Sequence, residues 1–374
     1  MWLINTTSLK LEHFLGPETA PNYAILSHTW GEQEVTFQCF QDLQTAKTKA
    51  GFAKIQKTCD LARNKDGLGY AWVDTCCIDK SSSAELSESI NSMYNWYRRS
   101  KVCYVYLSDW YASSGQDWAA LNDVSDGPNP LRWFTRGWTL QELIAPTNID
   151  FYNESWLVVG SKSDPLIIAE LARITGISPD VLKDGTEINL RRTCLGQRMS
   201  WVSRRETTRK EDIAYCLLGI FQVNMPLLYG EGSRAFLRLQ EEIIKTSTDF
   251  SLFAWQAVIG DRRSFQGILS DHPRRFKTLG DCKPSLSLFC KREGEEAVMT
   301  NKGLRIHTSS LDGIGHIPTS NGCKLLFATV ELTYEPSAKF LTIELEERRF
   351  LNCYRCWLAS QQSAETPVRA PPVS

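Results

Sequence analysis

The alternation of short apolar runs with helical stripes between Tyr23 and Leu107 restricts this chain more than any other feature. Tyr23-Ala-Ile-Leu-Ser27 is short and mostly apolar, and it runs into His28-Thr-Trp-Gly31, so it reads as a buried strand whose exit is marked by a glycine. From Gly51 to Arg63, the residues Phe52, Ile55, Cys59 and Ala62 recur at helical spacing, and Tyr70-Ala-Trp-Val-Asp74 forms a second strand. Ser82-x-x-Glu85 is a capping box ahead of Leu86, Ile90, Met93, Tyr94 and Tyr97, which share one stripe of a helix ending near Arg98-Arg99. Val102-Cys-Tyr-Val-Tyr-Leu107 is the third strand. Right-handed crossovers through the two helices place the three strands parallel in one sheet. Ligands of such sheets bind beyond the carboxyl ends of the strands. Here those ends lead into Ser27 to Gly31, Asp74 to Asp79, and Ser108-Asp109.

The segment Trp133-Phe-Thr-Arg-Gly-Trp-Thr-Leu-Gln-Glu-Leu-Ile-Ala-Pro146 follows a Ser-, Gly-, Asp- and Pro-rich loop from Trp110 to Pro130. Trp138 and Glu142 stand four apart and share a face if the segment is helical. An aromatic wall beside one carboxylate suits a flat cationic or heterocyclic ligand, whereas the plain alternative is a core Trp beside a solvated Glu. Asp74 and Asp79 suit either ligand contact or capping of the following turn and helix. His28 at a strand end reads equally as a hydrogen-bonded structural imidazole. Cys76-Cys77 could pair with His28 as a thiol nucleophile, but the sequence supplies no third orienting group.

Composition removes several function classes. Across 374 residues, 42 basic and 43 acidic side chains leave a net charge of −1, so no bulk field favours nucleic acid. A local patch of Arg204, Arg205, Arg209 and Lys210 still suits an anion. No apolar run reaches the roughly 18 residues of a membrane span. Met1-Trp-Leu-Ile-Asn lacks the basic region and apolar core of a signal peptide, which points to the cytoplasm. The 12 cysteines are scattered, and Cys353 with Cys356 is the sole C-x-x-C pair, so no metal is expected. No G-x-G-x-x-G fingerprint is present, which argues against redox use of a dinucleotide.

Further strands are expected at Ile149-Asp-Phe-Tyr152 and Trp156-Leu-Val-Val159, and helices at Pro165 to Ile174, Lys210 to Phe221 and Glu231 to Lys245. After residue 250 the texture turns to strands at Leu304 to His307, Lys324 to Thr333 and Phe340 to Leu345. Gln361 to Ser374 has no core-forming residues and reads as a disordered tail.

Three blocks, Tyr23-Ala-Ile-Leu-Ser-His-Thr-Trp-Gly31, Trp72-Val-Asp-Thr-Cys-Cys-Ile-Asp79 and Arg136-Gly-Trp-Thr-Leu-Gln-Glu-Leu143, resemble the signature blocks of the fungal heterokaryon-incompatibility (HET) domain, in that family's order. Met1 to Phe14 and the stretch from Gln197 to Gly232 are similar to the same family. The resemblance implies a HET domain over residues 1–250, beyond which the strand texture and composition leave a β-rich accessory region over 251–360 and a disordered tail over 361–374. It also implies a role in nonself recognition ending in cell death.

The strand order and the Trp-x-x-x-Glu motif are more distantly similar to TIR domains, several of which cleave NAD at the nicotinamide glycosidic bond. That likeness implies an α/β fold with a TIR-like (flavodoxin-like) parallel sheet flanked by helices over about 20–160, followed by a helical extension. It makes Glu142 the catalytic residue and NAD a substrate, not a resident cofactor. Glu142 would stabilise the ribosyl cation, while Ser27, His28, Trp30, Asp74, Asp79, Arg136 and Trp138 would contact the dinucleotide. Trp138 or Trp30 would stack on a ring, and Arg136 would meet the pyrophosphate. The chain departs from the TIR pattern in its Trp110 to Pro130 insertion and in Thr139, where plant TIR proteins often carry Cys. The alternative is a noncatalytic death-signalling module that acts by self-association or with a nonself-recognition receptor.

Overall fold

The computed structural model describes residues 1–111, 118, 130–247, 249–255 and 269–280, together with the strand backbones Glu296–Thr300, Gly303–His307, Gly315–Pro318, Lys324–Leu332, Lys339–Glu347 and Tyr354–Leu358. The chain divides into two compact units, Met1–Arg191 with Arg204–Leu239, and Arg192–Ser203 with Gln240–Ser374. Most of the expected loop between Trp110 and Pro130, Cys353 of the C-x-x-C pair and the tail from 361 lie outside the described residues. Among the described residues no helix is long and apolar enough to cross a membrane.

The first unit is an α/β layer structure around one seven-stranded sheet. Its strands are β1 (Trp2–Asn5), β2 (Leu11–His13), β3 (Tyr23–His28), β4 (Tyr70–Trp72), β5 (Val102–Tyr106), β6 (Ile149–Tyr152) and β7 (Val158–Ser161), in the order β2-β1-β4-β3-β5-β6-β7. The four central strands β4, β3, β5 and β6 are parallel, with Ile25 opposite Trp72 and Cys103. Every residue of β3 is buried, as the near-continuous apolar run requires of a central parallel strand. Trp72, Val73, Tyr104 and Leu107 are buried too, as their place in the apolar runs implies.

The sheet is mixed, and this corrects the expectation of a parallel one. The β1–β2 hairpin adds antiparallel to the β4 edge through Ile4 and Ala71. At the other edge β7 folds back antiparallel on β6. That reversal is built by Asn153, whose side-chain oxygen accepts the Ser155 and Leu157 N–H groups at 3.1 and 2.9 Å. Trp156 takes a left-handed φ of 61° in the turn and stacks on Tyr106 with ring centroids 4.5 Å apart, a contact that offsets the backbone cost.

Three helices position the site: α1 (Phe52–Asn64), α2 (Ser83–Arg99) and α3 (Thr139–Ile144). At the start of α2, the Glu85 N–H donates to Ser82 Oγ, but the Glu85 carboxylate reaches past the cap to accept the Asp79 N–H at 2.9 Å. The stripe Ile90, Met93, Tyr94 and Tyr97 is buried, and Trp72 packs edge-on against Trp96 and Tyr97. Each such side chain stabilises the layer by about 1.5–3 kcal/mol relative to exposure. The helix expected from Lys210 to Phe221 is instead two single turns, Asp212–Tyr215 and Leu218–Phe221. The second turn comes so close to α2 that a Cβ on Gly219 would lie 2.1 Å from Tyr94 Cβ, so only glycine fits there.

In the second unit, Gly315–Pro318, Lys324–Leu332, Lys339–Glu347 and Tyr354–Leu358 form a four-stranded antiparallel sheet in chain order. Glu296–Thr300 and Gly303–His307 pair as a hairpin.

Candidate functional site

Glu142 lies on α3 at the carboxyl end of the parallel strands and is only 6% exposed. Its carboxylate accepts a hydrogen bond from Ser27 Oγ at the end of β3, and Ser27 Oγ in turn accepts from Trp133 Nε1 at 2.8 Å. The Tyr97 hydroxyl of α2, which donates to the Leu26 carbonyl at 3.1 Å, also lies against the carboxyl. Burial pushes the Glu142 pKa up, and the nearby Asp74 charge adds to this. Ser27, Tyr97 and Arg205 offset part of the rise and leave the group at about 8. Glu142 is therefore mostly protonated at neutral pH, poised between proton donor and anion.

Buried cations hold both ends of α3. At its start Arg205 Nη1 donates to the Arg136 carbonyl at 2.8 Å and to Thr139 Oγ1 at 2.9 Å. At its end Lys162 Nζ donates to the Leu143, Ile144 and Pro146 carbonyls at 2.8, 3.4 and 2.6 Å, which satisfies acceptors that a helix terminus leaves open. Burial pulls the Lys162 pKa down to about 7.

A second cluster sits where β3 and β4 end. Trp30, 46% exposed, donates from Nε1 to Asp74 Oδ2 at 2.8 Å, and the Lys80 ammonium lies 3.7 Å from the Trp30 ring centroid. His28 is buried between two acids, with Nδ1 3.9 Å from Asp74 Oδ1 and Nε2 3.7 Å from Glu34 Oε2. Both distances are too long for hydrogen bonds, and among the described residues neither ring nitrogen has a hydrogen-bond partner. Glu34 also pairs with Lys54 of α1 and accepts the Gly31 N–H at 2.7 Å.

Ser27, Asp74 and Glu142 thus come together, and Asp74 links them to Trp30 and His28. The other expected residues are engaged elsewhere. Asp79 forms a turn, accepting from Ser81 N at 3.0 Å and from Gln38 Nε2 at 2.6 Å, and the Ser81 hydrogen bonds hold its pKa down. Arg136 donates to Thr208 Oγ1 at 2.9 Å. Trp138 precedes α3, and its indole bonds the Asp212 side chain, so Trp133 is the aromatic that reaches the Ser27–Glu142 pair.

Arg205 is 2% exposed and is not part of a surface basic patch. Cys76 and Cys77 are buried, and burial pushes the Cys76 thiol well above its ordinary value, which disfavours the thiolate that nucleophilic attack needs. Sequence reasoning missed Trp133, Tyr97, Arg205 and Glu34 as site residues. Trp133 stood in the same segment as Glu142, whereas Tyr97 carried only the signal of a helical core stripe.

Comparison with known proteins gives two family matches: "Heterokaryon incompatibility protein (HET)" over residues 23–128, and a domain of unknown function (DUF8212) over residues 234–360. Vegetative incompatibility protein HET-E-1 of Podospora anserina is 44% identical over 228 residues, a stretch covering 60% of this chain and 16% of that protein. The chain thus spans a small part of the length of the curated relative it matches. No solved structure matches.

Proposed function

We propose that this chain, which carries a HET-family segment at residues 23–128, is a fungal heterokaryon incompatibility protein: a cytoplasmic effector of nonself-recognition cell death that cleaves NAD at the nicotinamide glycosidic bond. The observation that carries the reading is Glu142, a buried carboxyl with a raised pKa beyond the carboxyl ends of four parallel strands, beside Ser27, Asp74 and the exposed Trp30. The central strand order, second-first-third-fourth, supports the flavodoxin-like and TIR-like reading of the fold.

In this reaction the bond between the ribose C1′ and the nicotinamide nitrogen breaks, and nicotinamide leaves with the electron pair. A water oxygen bonds C1′ and gives up a proton to Glu142 or solvent. Ionised Glu142 stabilises the ribosyl cation and Trp30 stacks on a ring of the dinucleotide.

A second reading, a noncatalytic module that acts by self-association or with a nonself-recognition receptor, is favoured by one observation. Glu142 is enclosed by Ser27 and Tyr97, so a ribose reaches it only if that shell opens. The test is NAD and nicotinamide measured with purified protein, alone and forced to oligomerise. NAD loss in the wild type and not in Glu142→Gln supports the first reading. A protein that assembles and kills while NAD stays constant supports the second.

A further inference from the structure

We infer that Arg205 is a positioning residue for Glu142: a buried counter-cation, fixed by the backbone, that lets the carboxylate carry its charge inside the site. The inference rests on the reading of Glu142 as the working carboxylate. Arg205 is fully enclosed, yet its hydrogen bonds go to two neutral oxygens, the Arg136 carbonyl and Thr139 Oγ1, and it forms no ion pair among the described residues. Burying a guanidinium without a bonded carboxylate is costly, and its place at the N-terminal end of α3 adds the unfavourable end of the helix dipole. Burial pulls its pKa down only to about 10, so it stays charged at neutral pH. Two acidic groups act on it through space, the Cys216 thiol and the Glu142 carboxyl, and burial pushes that thiol far above neutrality. Glu142 is therefore the group whose ionisation can balance it.

The backbone sets this geometry. The stretch carrying Arg205 pairs in parallel with the stretch that leads into α3: Glu206 N donates to the Thr135 carbonyl at 2.7 Å, and Gly137 N donates to the Glu206 carbonyl at 2.9 Å. A Cβ on Gly137 would lie 2.5 Å from Thr207 Cγ2 and 3.2 Å from Cys216 Sγ, so any larger residue there would have to push these side chains aside. Arg205 is thus held beside the start of α3 by the backbone, independently of Ser27.

The test is the titration of Glu142 followed by carboxyl ¹³C NMR, with the resonance assigned by its loss in Glu142→Gln. In Arg205→Gln the midpoint should rise by about one pH unit, and Arg205→Lys should restore most of the shift. An unchanged midpoint in folded Arg205→Gln would overturn the inference. If Arg205→Gln does not fold, the Arg205 side-chain ¹⁵Nε resonance is followed in intact protein. It should move with the Glu142 midpoint in the wild type and stay flat in Glu142→Gln, and a resonance indifferent to Glu142 would overturn the inference. NAD measured in parallel keeps the two claims apart, because an absence of cleavage contradicts the proposed reaction and leaves the titration to decide on Arg205.

Discussion

Two glutamates flank the end of β3, and their surroundings drive them in opposite directions. Burial pushes Glu34 up, but the His28 ring, the Gly31 N–H and Lys54 outweigh it and hold the group at about 2. Glu142 is more deeply enclosed, meets the like charge of Asp74, has no bonded cation among the described residues, and ends at about 8. Glu34 is thereby a permanently charged structural partner, whereas Glu142 changes charge within the range where a cell works. Keeping a carboxyl group in the state of Glu142 lowers stability at neutral pH, as functional sites commonly do.

The largest expected effect comes from breaking the Glu34 pair. Lys54→Met leaves Glu34 beside α1 without its cation and should lower the unfolding free energy by about 3 kcal/mol in urea titrations at pH 7. The folded pKa of Glu34 is depressed, so its contribution is present above the ordinary carboxylate pKa and disappears as pH falls through about 2. The loss in Lys54→Met should accordingly shrink in acid.

Glu142→Gln should do the reverse. A raised folded pKa favours the fold at low pH, and that contribution is lost as pH rises from about 4.5 through about 8. The variant should match the wild type near pH 5 and exceed it by on the order of 2 kcal/mol at pH 9. Denaturation at the two pH values checks this, and equal offsets at both would remove the contrast with Glu34.

Gly137→Ala should cost about 1–3 kcal/mol, because its methyl group meets Thr207 and Cys216 Sγ where the 135–137 and 205–207 stretches pair. Thermal unfolding reads the loss, and a neutral outcome would mean that the pairing beside α3 is loose. Trp30→Ala should be mildest for stability, under about 1 kcal/mol, since the indole is half exposed. If Trp30 stacks on the substrate, that variant should raise KM for NAD more than it lowers kcat.

The central strands and α1 and α2 were legible in the sequence because each is an apolar run or stripe bounded by Gly, Ser or Asp. The antiparallel edges were not. Trp2–Asn5 and Leu11–His13 are too short to show alternation, and the turn between them depends on Leu9 adopting a φ of 54°. Glu142 stood out as a lone acid in an aromatic segment, but its burial did not. That property depends on Ser27, 115 residues earlier, and on Arg205, which composition assigned to a surface patch. Four-residue spacing put Trp138 beside Glu142, yet Trp138 precedes the helix and bonds Asp212, while Trp133 takes the inner position.

Nicotinamide release by oligomerised protein between pH 6 and 9 tests the role of Glu142 most directly. The rate should rise with pH toward a plateau above about 8, as Glu142 ionises, and should fall about 10²- to 10³-fold in Glu142→Gln with folding intact. Release that is absent from an assembled, lethal wild type, or that is equal in Glu142→Gln, would contradict it.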